Sequence, residues 1–142
     1  MLPKSDRLPV SVPPGLVAFR LLPVLFVTVA SMAYVGYVEG ADAYVVRNIT
    51  PMLIVIALSV LTLYKGGGSW TGAGWRWPLG TLGFAIPAVG LSLYLHYGYA
   101  VDLDGMFGDA IYPRELFRYL PAYTAVAGAI GFAIGWIAGR NV

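Results

Sequence analysis

The chain has 142 residues, of which 58% are hydrophobic and 11% charged, against about 25% charged in a soluble domain. Its formal net charge is only +2 and its nine Lys and Arg are scattered, which excludes a phosphate-binding face and a nucleic-acid partner. It has no cysteine, which excludes disulfides, iron–sulfur clusters, cysteine zinc sites and thiol catalysis.

Four runs carry no Asp, Glu, Lys or Arg: residues 21–38, 48–64, 77–101 and 119–139. Each is close to the roughly 20 residues a helix needs to cross a bilayer. None shows the polar stripe at helical period expected of a soluble bundle. The expected fold is all-α, an integral membrane protein with four transmembrane helices arranged as two hairpins.

In chain order, residues 1–15 hold Pro3, Pro9, Pro13 and Pro14 with Lys4, Asp6 and Arg7. Proline at this density opposes a helix, so the segment reads as a short cytoplasmic tail ahead of a membrane domain over 16–142. The first span is expected over 16–37, with Arg20 snorkelling to the headgroups. Its segment 21–29 followed by Ala-Ser-Met-Ala has the look of a signal peptide, but it is read as a retained span. Glu39 and Asp42 then fall in a short polar loop. The second span is expected over 43–64, because a start at Pro51 would leave it too short for a core of roughly 30 Å. Pro51 would kink it by freeing the carbonyl of Arg47.

Lys65 to Arg76 contains five glycines and two tryptophans between basic ends. It reads as the turn between the halves of the protein. No Gly-Lys-Ser/Thr follows the glycines, so it is not a nucleotide loop. The third span is expected over 77–99, an acidic loop follows, and the fourth span is expected over 114–139. The outer loops echo one another: Asp42-Ala43 precedes Arg47 and Pro51 as Asp109-Ala110 precedes Arg114 and Pro121. Duplication of a hairpin, or two loops meeting similar demands, would both produce this.

Charge placement gives an orientation. Lys4, Arg7, Arg20, Lys65, Arg76 and Arg140 fall on one side, and Arg47, Arg114 and Arg118 on the other. Six against three favours cytoplasmic termini. The four tryptophans group toward the inner face and nine of the ten tyrosines toward the outer, as interfacial belts do.

Few residues invite chemistry. His96 is the sole histidine, whereas bis-histidine haem needs two, and metal sites usually need three or four ligands. It reads as an interfacial hydrogen-bonding group. No acid is expected inside a span, which argues against a self-sufficient ion carrier. No catalytic, cofactor or metal site is assigned. Arg47, Arg114 and Arg118 cluster on the outer side with Asp102, Asp104, Asp109 and Glu115 nearby, and are expected in local ion pairs and lipid-headgroup contacts or at an outer docking surface. Ala127, Gly131, Gly135 and Gly139 recur every four residues, a spacing that lets two helix backbones approach. They mark a contact either within the bundle or with another subunit.

Arg47-Asn48-Ile49 at the start of the second span and Tyr64-Lys65-Gly66 at the turn accompany a third span ending in aromatics before an Asp-led fourth. This arrangement resembles the small membrane subunit of TRAP transporters, the tripartite carriers that depend on a substrate-binding protein. It looks most like the four-span segment preceding the large permease part in TAXI-type fused members. The arginine-rich ending of that pattern is reduced here to Arg140. The resemblance implies a subunit without its own transport site, in a bacterial inner membrane. Such a subunit braces a larger multi-span subunit that moves sodium and organic acid, and helps receive a periplasmic solute-binding protein. An accessory subunit of a respiratory or electron-transfer complex is the alternative. A membrane enzyme acting on lipid would need a nucleophile or metal site, and the sequence offers neither.

Overall fold

A computed structural model of the chain describes residues 12–40, 45–101 and 119–141. Their order is α1 (Pro14–Glu39), α2 (Val45–Lys65), α3 (Arg76–Val101) and α4 (Leu120–Ala138), closed by a 3-10 turn over Gly139–Asn141. All four helices are long and apolar enough to cross a membrane. Arg114 and Arg118, and the expected first residues of the fourth span, lie outside the described residues.

Local chemistry sets the helix ends. Pro14 opens α1 after an extended Pro13, at a position where the missing N–H is no loss. Gly40 closes it with φ 77°, and its N–H bonds the Gly36 carbonyl. α2 runs through Pro51 to Lys65. It then stops in a paired cap: Gly67 N–H bonds the Tyr64 carbonyl at 3.2 Å and Gly68 N–H bonds the Leu63 carbonyl at 2.7 Å. That cap requires a left-handed residue, and Gly67 supplies it with φ 66°. The Arg20 guanidinium donates to the Gly68 carbonyl at 2.6 Å. So Arg20 ties the start of α1 to the glycine turn.

The core sits among α1, α2 and α3. Met52 and Val55 of α2 meet Phe84, Ala88 and Val89 of α3, with Val24 and Met32 of α1 against them. A second cluster joins Val17 and Leu21 of α1 to Leu63 of α2. Hydroxyls are buried beside these residues. Thr28, Ser59, Thr62 and Thr124 each donate to a carbonyl of their own helix. The Thr62 and Thr81 hydroxyls also meet across α2 and α3 at 2.9 Å. The outside is apolar: Phe26 is 75% exposed, Ile86 69% and Ile134 63%. Water would penalise that surface, and hydrocarbon does not.

α4 lies along α3 with almost no space between backbones. A Cβ built at Gly131 would overlap the Gly83 carbonyl oxygen, and one at Gly135 the Leu79 carbonyl oxygen. A Cβ at Gly139 would stand 2.7 Å from the Arg76 Cα. Residue numbers rise on α4 as they fall on α3, so the two helices run antiparallel. Gly80 and Gly128 receive Phe132 and Phe84 respectively. At the end of this seam Trp77 packs edge-on to Phe132 and Trp136. Lys65 stands 5.2 Å over the Trp77 ring and Arg76 5.5 Å over Trp136. Cations over indole rings suit a membrane interface.

Candidate functional site

The opposite end of the bundle gathers its charge inward. Glu39 is the last residue of α1 and is 2% exposed. Arg47 and Asn48 follow in the first turn of α2. His96 stands near the end of α3, one turn after Ser92. Both Ser92 and His96 are fully buried.

The Glu39 carboxylate is the hub. Arg47 Nη2 donates to Oε1 at 2.6 Å, and Asn48 Nδ2 donates to Oε2 at 2.5 Å. His96 Nε2 lies 3.3 Å from Oε1. Its Nδ1 is 2.7 Å from the Ser92 carbonyl. One carboxylate therefore joins three helices. Removing a carboxylate from water costs several kcal/mol unless it is paired and hydrogen-bonded. The guanidinium and the amide supply both.

This placement corrects two readings of the sequence. Glu39 is not a loop residue, and a buried acid does stand at the end of a span. Gly40 and Asp42 beside it signalled a loop, whereas contacts eight, nine and 57 positions away bury it. Arg47, expected in a local ion pair, at headgroups or against an outer partner, pairs with Glu39 and its side chain is 15% exposed there.

The quartet lacks the geometry of a nucleophilic centre. A serine–histidine–acid relay needs the imidazole between hydroxyl and carboxylate. Here Nδ1 is taken by the Ser92 backbone carbonyl, not by its Oγ. Ser92 Oγ and Asn48 Oδ1 make no hydrogen bond among the described residues. Nor do the described residues hold three His, Cys, Asp or Glu placed to bind a metal.

The four-residue row on α4 resolves into parts. Gly131, Gly135 and Gly139 back onto α3 of the same chain, while Ala127 beside them is half-buried. The steric rule behind the row was readable, but not the helix that uses it. Between α1 and α3 lies an apolar recess of about 360 Å³, lined by Pro23, Val27, Leu82 and Ile86 among others. Its one hydroxyl, Thr28, is spent on the Val24 and Leu25 carbonyls. Comparison with protein-family models, curated proteins and solved structures gave no match.

Proposed function

We propose that the chain is a non-catalytic small membrane subunit of a bacterial secondary transporter. It would brace a larger multi-span permease of the TRAP-like, sodium-coupled organic-acid class, beside a periplasmic solute-binding protein. The observation that carries this reading is how the charge inside the bundle is used. Both oxygens of Glu39 are held by fixed donors from α2, which suits a structural tie better than a site that loads and unloads an ion. The recess between α1 and α3 offers an organic anion no charged group.

The outer faces supply the contact area such a subunit needs. The hydrophobic windows of α1 and α4 are the least buried, at 22% and 17%. They present Phe19, Phe26 and Val29, and Val126, Ile130 and Ile134. Purification of the native complex in mild detergent tests the proposal. A co-purifying permease with many spans is the expected result. A haem protein in its place would favour the electron-transfer alternative, and no larger chain at all would sink both.

We place both termini on the cytoplasmic side, from the excess of Lys and Arg there. The chain has no cysteine, so a single engineered one is a unique reporter. A cysteine within 102–110 should label from outside intact cells and one within 1–10 should not. The reverse pattern would invert the topology.

A further inference from the structure

We infer that the glycine-turn end of the bundle binds an anionic phospholipid, with its phosphate at Arg20 and an acyl chain in the recess between α1 and α3. Two hollows meet at Pro23, which lines both. One is the apolar recess of about 360 Å³. The other, of about 550 Å³, lies between the start of α1 and the glycine turn, lined by Phe19, Arg20, Ser69, Trp70 and Thr71 among others. Arg20, Pro23 and Val27 are spaced by three and four, so one face of α1 runs from the second hollow into the first. About 10 Å of helix rise separates Arg20 from Val27, within a leaflet whose hydrocarbon is about 15 Å deep. On the opposite wall Leu82, Ile86 and Gly90 follow one another at four-residue steps along α3.

The chemistry of the two hollows differs in the order that a lipid requires. The Arg20 guanidinium carries five N–H donors, and its one bond in the structure is to the Gly68 carbonyl at 2.6 Å. The only acid among the described residues is Glu39, at the other end of the bundle, so no carboxylate there balances Arg20. The Ser69 and Thr71 hydroxyls and the Trp70 indole border the same hollow and add donors. A phosphodiester accepts from all of them, and guanidinium matches its geometry. Lys65 and Arg76 stand at this end as well, which favours a net-negative headgroup over a zwitterionic one. The recess beyond Pro23 offers only hydrocarbon, since the Thr28 hydroxyl is spent within α1. Val27, Leu82 and Ile86 on its rim are 53%, 54% and 69% exposed, so it opens toward lipid. Left empty, it would forfeit dispersion contacts, and an acyl chain of the same leaflet restores them.

The test takes the full chain through vesicles of phosphatidylcholine containing a minor share of phosphatidylglycerol. After extraction in mild detergent, native mass spectrometry should find a single phosphatidylglycerol retained in preference to phosphatidylcholine. Arg20→Gln should weaken that retention roughly five- to tenfold. Thr71→Asp should also weaken it, by setting a like charge beside the headgroup. Thr71 is exposed, so this variant serves if Arg20→Gln does not fold. Gly90→Leu fills the recess where a new Cβ meets nothing within 4 Å. It should weaken retention of the long-chain lipid and leave the weaker binding of dihexanoyl phosphatidylglycerol unchanged. Inorganic phosphate should not displace the lipid. Equal retention of the two lipids, or retention indifferent to both headgroup variants, would overturn the inference. So would displacement by inorganic phosphate, or indifference to Gly90→Leu, because the acyl chain would then lie elsewhere. A chain that keeps no lipid, its recess empty or closed by a second copy or a partner's helix, would overturn it too.

Discussion

Gly131→Ala adds a single methyl at the tightest point between α3 and α4. That methyl would overlap the carbonyl oxygen of Gly83 and stand 2.7 Å from Pro87 Cγ. Non-bonded heavy atoms rest about 3.5 Å apart, so the two backbones must part by roughly 1 Å or more. The seam cannot yield at one place, because Gly135 and Gly139 press on Leu79 and Arg76 along the same line. Overpacking costs about 1–3 kcal/mol, and an opposing backbone atom puts this case at the upper end. At about 3 °C per kcal/mol for a chain of this length, the variant should melt some ~9 °C lower. Gly90→Ala on α3 is the matched control, because its new methyl meets nothing within 4 Å. It should be neutral, or stabilising by up to about 1 kcal/mol through helix propensity. Tryptophan fluorescence suits the assay, since Trp77 and Trp136 pack edge-to-face at the end of this seam. Equal melting temperatures for the two variants in detergent would refute the reasoning.

Gly135→Leu places a branched side chain on the Leu79 carbonyl and should lower the melting temperature of the purified chain with no partner present. Glu39→Ala leaves the Arg47 guanidinium without its carboxylate. Breaking a buried pair this way costs about 3–5 kcal/mol, so it should be the most damaging change of this group, with much of the loss recovered in the double variant Glu39→Leu with Arg47→Leu. Thr62→Val removes one side of the hydroxyl contact at 2.9 Å and should cost about 1 kcal/mol. Adding Thr81→Val should restore part of that in a double-mutant cycle read by thermal melting.

The four helices were legible because absence of charge over some 20 residues is a local property. The ends of α1 were read two residues short on each side, because Pro14 was assigned to the tail and Glu39 to the loop, whereas proline can open a helix and Gly40 closes this one. The polar interior was hidden for a physical reason. Lipid and protein core are equally apolar, so hydropathy does not distinguish the face of α2 bearing Met52 and Val55 from the one bearing Leu53 and Leu61. Only packing reveals that Asn48, Ser59 and Thr62 share the inward face. The Glu39–His96 contact spans two helices and could not be found by spacing along either. The glycine row announced a close approach, yet its partner, Gly83 with Leu79 on α3, depends on how two helices meet.

The buried hydroxyls and the buried charge differ in when they become satisfied during synthesis. Thr28, Ser59, Thr62 and Thr124 bond carbonyls within their own helices, so these four hydroxyls are satisfied before their helices pack together. Glu39 is not, since its donors belong to the next helix. Those donors follow only eight and nine residues later, and they leave the ribosome almost at once. The acid therefore needs to wait at the aqueous edge of the insertion machinery for no more than about 2 s at ordinary elongation rates of about 5–20 residues per second. An insertion lengthening the segment between Glu39 and Arg47 would extend that wait and expose the nascent chain to quality-control proteases, even if the finished bundle were unchanged.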